Sequence, residues 1–248
     1  VNVEALPLSV NDYNVKSIVK DVDLVLDGLD TLRVRRIVNR ACVELRKPYV
    51  FGSAIEMFGN ASTIIPGETP CLDCFLPHRE PSATCATVGV HPSLVSIIAS
   101  IEVSEAIKII TGREPSLKNR LLFFDLRSMF LETVEIRRLD SCETCGQSKA
   151  FPEREFKEEF HVEEAYSVKG LPYYIVSPSK NLELNLHDIF PEEYVKLKAR
   201  HRLSIVFLLD DNVELHLLKS GVGIVRGAKD GSDALQKYIR VLNLLHYK

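Results

Sequence analysis

Asp23-Leu24-Val25-Leu26-Asp27-Gly28-Leu29-Asp30-Thr31 is a short apolar run that ends in an acidic, glycine-containing turn. An amphipathic stretch from Leu32 to Leu45 follows it, and after Arg46-Lys47 the apolar signal returns from Pro48 to Gly52. Strand, helix and strand at this spacing predict a βαβ unit, because parallel strands need a helical crossover between them. Both strand stretches are nearly all apolar, as strands covered on both faces are. The fold class predicted from this core is α/β, with a mostly parallel sheet.

Outward from that unit, Gly59 to Ile65 alternates and reads as an antiparallel addition. A loop rich in Pro, Glu and Cys runs from Pro66 to Thr87. Pro92 to Ile110 carries apolar residues at helical spacing, with Glu102 and Glu105 on the other side and Gly112 as a stop. Arg120–Asp125 and Phe130–Arg138 read as two strands joined by a tight turn. Between Lys149 and Glu164 the composition shifts to charged residues with scattered Phe, the mark of a linker or a bridging strand. Beyond it, Tyr173–Val176, Leu203–Leu209, Val213–Leu218 and Gly223–Val225 read as strands, and Glu192–Arg200 and Asp233–Leu245 as helices. The predicted organisation is an α/β domain over 1–148, a linker over 149–165 and a small α+β domain over 166–248.

The 248 residues are 46% hydrophobic, enough to fill such cores. The net charge is −3, with both signs interspersed, so no basic face for nucleic acid is visible. The longest apolar runs are too short for a bilayer span, and Val1 to Val10 lacks the features of a secretory signal. A cytoplasmic setting follows as the expectation.

Four of the six cysteines form two Cys-x-x-Cys pairs, Cys71/Cys74 and Cys142/Cys145. Each such turn brings two thiolates within reach of one ion, so two turns supply the tetrahedral set that zinc needs. Four cysteines leave no open position for substrate, and the role of such a zinc is structural. A redox pair or thiols merely lying in loops are the alternatives. Asp27 and Asp30 stand just past the carboxyl end of a parallel strand, where doubly wound sheets bind ligands. A carboxylate there can hold Mg²⁺ beside nucleotide phosphates, and it can equally serve a polar turn that caps the next helix. Cys85 is a candidate nucleophile or a small buried residue. Cys42 reads as core, and His78 and His91 as surface or helix-start residues.

Taken in order, Val25-Leu-Asp-Gly-Leu-Asp30-Thr, Arg35, Asn39-Arg-Ala-Cys42, Lys47-Pro48, Gly52-Ser-Ala-Ile55, Pro70-Cys71-x-x-Cys74, Cys85-Ala-x-x-Gly89-Val, Glu105-Ala-Ile-Lys108, Asp125 and Cys142-x-x-Cys145-Gly resemble the ThiF/MoeB/HesA family, relatives of the ubiquitin-activating enzymes. The resemblance covers Val1 to about Gly146. The remaining domain is similar to the small α+β tail of some archaeal-type members, most of all over Ser220–Gly227.

The resemblance implies a Rossmann-like, doubly wound fold and ATP-dependent adenylation of the carboxyl-terminal glycine of a ubiquitin-like or sulfur-carrier protein. The carrier carboxylate would attack the α-phosphate of ATP, and pyrophosphate would leave. By motif position Asp30 would hold Mg²⁺ and orient the phosphates, Arg35 would make a phosphate or structural contact, and Cys85 falls where some members keep an acceptor cysteine. A homodimer is implied as well.

The sequence departs from the family pattern in two ways. Thr31 stands where the motif usually has Asn, and no glycine-rich turn joins a strand to a helix before Asp27. The expectation is therefore a partial doubly wound sheet, with the nucleotide-binding segment supplied by a longer polypeptide or a second chain, and with this chain inactive alone. A zinc-stabilised scaffold that docks a ubiquitin-like partner without using nucleotide is the alternative.

Overall fold

The computed structural model describes residues 1–6, 8–76, 88–147, 159–166, 172–179, 182–186, 195–209 and 213–245. Asn14–Arg154 form one compact unit, and Val1–Tyr13 with Glu155–Lys248 form the other.

In the first unit a short helix α1 (Val15–Val19) precedes strand β1 (Val25–Leu26), helix α2 (Leu32–Leu45) and strand β2 (Tyr49–Ile55). β1 and β2 run parallel, with Val25 opposite Tyr49 and Leu26 opposite Val50, so the expected βαβ unit forms. Thr31 starts α2 by accepting a hydrogen bond from Val34 N on its Oγ1 at 3.4 Å. At the other end Arg46 adopts a left-handed conformation (φ 55°), and Lys47 N returns to Cys42 O at 2.8 Å, which stops the helix. Ile37, Val38, Ala41 and Cys42 form its buried stripe, and Cys42 is a core residue as expected.

Strand β3 (Phe58–Ile64), helix α3 (Leu72–Phe75), helix α4 (Pro92–Ile110), strand β4 (Arg120–Asp125) and strand β5 (Phe130–Glu135) complete the unit. The sheet order is β1-β2-β3-β4-β5. Beyond the parallel pair, each neighbour is antiparallel, so the sheet is mixed and the expected parallel majority is absent from the described strands. The reason lies in the connections. β2 turns into β3 at Glu56 (φ 49°) and β4 into β5 at Met129 (φ 55°), and strands joined by tight turns must run antiparallel.

The two faces of β2 are covered differently. Phe51 packs edge-on to Phe75, with centroids 6.1 Å apart, and lies under the Arg35 guanidinium, while its neighbour Gly52 faces Ile98 and Glu102 of α4. His91 caps α4, its Nδ1 accepting from Ser93 N at 3.3 Å, and Pro92 takes the first helical position. Leu94 and Ile98 join Ala61, Leu117, Leu122 and Phe124 in the core beneath it.

For Glu102 and Glu105 the expected outer placement is wrong: both lie on the buried face, at 6% and 2% exposure, and Val103 and Ile107 are outside. Glu105 is tolerated because it is fully bonded. It accepts from Thr63 Oγ1 (2.8 Å), Leu117 N (2.7 Å), Ser116 N (3.1 Å) and Lys108 Nζ (2.5 Å). Burial raises its carboxyl, but these bonds outweigh burial and hold it below its ordinary value. Glu102 fits because Gly52 has no side chain, since a Cβ there would stand 1.5 Å from Glu102 Oε1.

The second unit contains strands β6 (Phe160–Tyr166), β7 (Pro172–Pro178), β8 (Lys196–Arg200), β9 (Ser204–Leu208), β10 (Glu214–Leu218) and β11 (Gly223–Arg226), followed by helix α5 (Gly231–Leu244). Its sheet is antiparallel throughout, in the order β6-β7-β11-β10-β9-β8. β6 lies within the charged stretch read as a linker or bridging strand. The helix expected over Glu192–Arg200 is not found: residues 196–200 form the edge strand β8, paired to β9 with an irregularity between Leu197 and Ala199. Helix propensity in this Lys-rich stretch yields to pairing with β9, and edge lysines suit a strand with one open side. Asp230 Oδ1 caps α5 by accepting from Asp233 N at 2.8 Å. Tyr238, fully buried, donates to Gly221 O and lies where a side chain on Gly223 would stand, 2.5 Å from its ring.

Candidate metal centre and acidic pocket

Both Cys-x-x-Cys turns belong to the first unit, and the fold brings them together. The four sulfurs of Cys71, Cys74, Cys142 and Cys145 lie within 4.8 Å of one another. Cys71 Sγ is 3.7 Å from Cys142 Sγ, and Cys74 Sγ is 3.4 Å from Cys145 Sγ. A tetrahedron of sulfurs about 2.3 Å from a zinc ion has edges of about 3.8 Å, so the cluster is preformed at the size a metal ion requires and could hold one. Without an ion the sulfurs share their protons unequally. Bonds from Cys145 and Cys71 hold the Cys74 thiol far below its ordinary value, while bonds from Cys145 and Cys74, with burial, push Cys71 up. At Cys145 the bond from Cys71 pulls down, but Cys74 and burial outweigh it and the thiol is raised; a bound metal would take all four as thiolates.

Of the residues that support this cluster, sequence reading quoted Asn39 and Gly146 only as part of the family pattern and assigned no role to them, to Asp73, to Thr144 or to Arg138. Asn39, fully buried on α2, accepts from Leu72 N on Oδ1 at 3.1 Å and so fixes the first turn. Asp73 Oδ2 accepts from Thr144 Oγ1 at 2.6 Å and from Asn39 Nδ2 at 3.4 Å, and Arg36 Nε stands 3.6 Å from its other oxygen. Arg138 donates to Cys145 O and, at 3.2 Å, to Gly67 O. Gly146 closes the second turn, its N–H 2.7 Å from Cys142 O; a Cβ there would meet Asp140 O and Cys142 O at 2.4 Å. Such outer bonds orient ligands before the ion arrives.

The second constellation is a cavity of about 260 Å³ at the carboxyl ends of β1 and β2, roofed by α4. Asp27, Asp30, Arg35 and Glu102 are its charged lining, beside Gly28, Gly52, Ser53, Val95 and Ile98. Asp27 is locked. Its Oδ2 accepts from Arg35 Nε (2.9 Å) and Tyr49 Oη (2.6 Å), and its Oδ1 from Leu29 N (2.8 Å). Burial nevertheless leaves its carboxyl above the ordinary value, with Arg35, Tyr49 and Leu29 pulling the other way. Arg35 also donates to Leu29 O and to Gly52 O (2.9 Å), so it ties the loop after β1 to β2.

Asp30 is exposed at the rim of this cavity, at the carboxyl edge of the parallel pair as its sequence position implied. The structure thus places Asp30 and Arg35 in one pocket and the four cysteines in another cluster. Cys85 and His78 lie outside the described residues. Glu102 is the pocket residue that sequence reading missed. Its carboxyl is pushed up to about 8, first by burial and then by the charge of Asp27, with Arg35 opposing. A glutamate in a largely apolar helix, together with a glycine at position 52 that leaves space on the neighbouring strand, was the signal for it.

A βαβ core with an acidic cavity at its carboxyl edge, extended by antiparallel strands and carrying a four-cysteine centre, defines an α/β protein of Rossmann-like type. No helix among the described residues is long and apolar enough to cross a membrane. Residues 1–144 match the ThiF family model, and the chain belongs to the ThiF family. It is 27% identical over 96% of its length to the Bacillus subtilis (strain 168) sulfur carrier protein ThiS adenylyltransferase, of which it spans 70%. Over 59% of its length it is 32% identical to the Thermus thermophilus sulfur carrier protein adenylyltransferase, spanning 57% of that protein. The fold is also that of Escherichia coli MccB crystallised with MccA-N7isoASN, with a TM-score of 0.50 and 19% identity over 57% of this chain and 46% of that one.

Proposed function

We propose that this chain forms part of an enzyme that uses ATP to adenylate the carboxyl-terminal glycine of a ubiquitin-like or sulfur-carrier protein. The observation that carries this reading is Asp30. It is an exposed carboxylate at the carboxyl edge of the parallel pair, beside an Asp27–Arg35 lock that fixes the loop on which it stands. The relatives named as sulfur-carrier adenylyltransferases support the same chemistry.

In this reading Asp30 would hold Mg²⁺, which when bound would supply charge neutralisation for the pyrophosphate, and Arg35 holds the loop and β2 in place. The four cysteines hold zinc, which fastens α3 to the segment after β5 and has no open position for substrate. Among the described residues of the cavity Arg35 is the single cation, and its bonds to Asp27 and two carbonyls commit it. On this reading the basic groups that neutralise a triphosphate are expected on a further segment or a second chain, with this chain inactive alone. The working enzyme is a dimer. Cys85 is assigned as an acceptor for the activated acyl group, on motif position alone.

Carrier-dependent ATP/pyrophosphate exchange by the full-length protein tests this. Exchange that Asp30→Ala abolishes, with zinc content and carrier binding retained, is the expected result. Carrier binding with no exchange in the unsubstituted protein would replace the enzyme reading with a docking scaffold.

A further inference from the structure

The cavity holds one group that the adenylation chemistry outlined above leaves idle. Glu102 reaches into it from α4, 6% exposed, and its carboxyl has no hydrogen-bond partner among the described residues. The position is built: Gly52 leaves the space that Oε1 occupies, and any Cβ there would collide with it at 1.5 Å. Its oxygens are not sealed in the core but open onto the cavity, so their partner is water or whatever displaces water there.

The surroundings narrow what that is. Asp27 is spent on Arg35, Tyr49 and Leu29 N, and Arg35 on Asp27 and two backbone carbonyls. The groups facing Glu102 are Asp27 from the end of β1 and Arg35 from α2; β2 and β3, packed against α4, present Gly52 and Gly59. Asp30 stands at the rim, and Glu105, one turn along α4, is saturated by its own four bonds. Burial and the Asp27 charge keep the Glu102 carboxyl protonated at neutral pH, and a protonated carboxyl is a donor. An anion entering here meets acidic neighbours and needs such a donor. At about 260 Å³ the cavity is below the ~300 Å³ at which pockets for drug-sized ligands begin, and its walls at Gly28, Gly52, Ser53 and Ala54 are small. That shape suits the end of an extended chain without side chains, not a nucleotide.

We propose that the Glu102 carboxyl donates a hydrogen bond to the terminal carboxylate of the carrier and seats it between α4 and the carboxyl ends of β1 and β2. This rests on the adenylation reading and names the carrier-binding group within the same site. The bond is charge-assisted and short, carboxylic acid to carboxylate, and Glu102 acts by binding and orienting the attacking group.

The test measures, on the full-length protein, the Michaelis constants for carrier and for ATP in pyrophosphate exchange, for Glu102→Ala and Glu102→Gln. Loss of a hydrogen bond to a charged group predicts a rise of about tenfold or more in the carrier constant for the Ala variant. The ATP constant should stay within about twofold, and Gln, which keeps a donor of the same size, should recover most of the loss. An unchanged carrier constant in Glu102→Ala overturns the proposal, as does a Gln variant of native thermal stability and zinc content that is as impaired as Ala. A second measurement needs no ATP: binding of a synthetic peptide ending in Gly-Gly, as free carboxylate and as amide. The unsubstituted protein should prefer the carboxylate and Glu102→Ala should lose that preference; no preference in the unsubstituted protein overturns the proposal. A protein that prefers the carboxylate yet shows no exchange retains the seat and loses the adenylation reading.

Discussion

Asp73 Oδ2 accepts a hydrogen bond from Thr144 Oγ1 at 2.6 Å, so the third residue of one Cys-x-x-Cys turn is bonded to the third residue of the other. Thr144 is buried, and the Asp73 side chain nearly so. The two turns come from parts of the chain far apart in sequence, and this bond presets their spacing without an ion. Thr144→Val keeps the shape and removes the donor, leaving Asp73 short of a partner. Metal affinity, measured by competition with a chelator, should fall about 10- to 100-fold, the usual effect of losing an outer-shell bond. Affinity equal to that of the unsubstituted protein would show the spacing to be set by the thiolates alone.

Removing the ion should act locally before it acts globally. The cluster joins α3 to the segment after β5, whereas the core of Ala61, Leu94, Ile98, Leu117, Leu122 and Phe124 contains none of its residues. Chelation or Cys142→Ser should raise amide exchange over 71–76 and 138–146 first, with the amides of α4 still protected. Simultaneous loss of protection throughout the first unit would make the metal essential to the whole fold.

Arg35 and Asp27 form a buried pair, their side chains 11% and 0% exposed. Arg35→Met strands a buried carboxylate, frees two carbonyls and takes the cation off the Phe51 ring. A loss of about 3–5 kcal/mol is expected from denaturant unfolding. Asp27→Asn added to it should return part of that, because the stranded charge disappears; equal loss in single and double variants would mean that packing, not charge, sets the cost.

What could be read from the sequence follows how locally each feature is determined. The limits of α2 and α4 were legible because the apolar spacing of Leu32–Leu45 and the signals at Pro92 and Gly112 are local, although the cap of α2 is Thr31 and not the carboxylate that the turn offered. The cysteine pairing was legible because spacing encodes it. Glu102 and Glu105 were misread, since a charge in a helix is ordinarily outside; what turns them in is Gly52 on β2, Thr63 on β3 and the Ser116 and Leu117 N–H groups of the turn before β4. β8 was misread for the same reason, as its strand state comes from β9. The antiparallel additions were legible one by one, β3 from its alternation and β4 with β5 from the tight turn between them, although the positive-φ residues Glu56 and Met129 are neither glycine nor asparagine and do not announce those turns.

Gly52 makes a related prediction. A methyl group there would overlap Glu102 and press on Ile98, whose Cγ2 would be 2.9 Å away, so Gly52→Ala should cost about 1–3 kcal/mol by overpacking. Since the first atoms met belong to Glu102, Glu102→Ala should relieve much of it, and the two substitutions should be non-additive in chemical denaturation. Additive losses would place the strain in the backbone of β2.

The titration of Glu102 gives stability a definite pH dependence. Its carboxyl has an ordinary value of 4.5 and is raised in the fold to about 8, by burial first and the Asp27 charge second. Between those values the folded chain keeps a proton that the unfolded chain has lost, so unfolding releases a proton and rising pH favours the unfolded state. The contribution of the neutral carboxyl is thus fully present below pH 4.5 and is lost as pH rises through about 8. Asp27, also raised by burial, contributes in the same sense at the lower end of the window. Glu102→Gln cannot ionise and removes the larger part of this slope. Denaturation midpoints measured at pH 5, 6.5 and 8 should therefore decline less in the Gln variant, with its advantage over the unsubstituted protein growing with pH. Parallel curves would mean that Glu102 is already ionised in the fold, with a cation or another partner supplying the charge that the described residues do not.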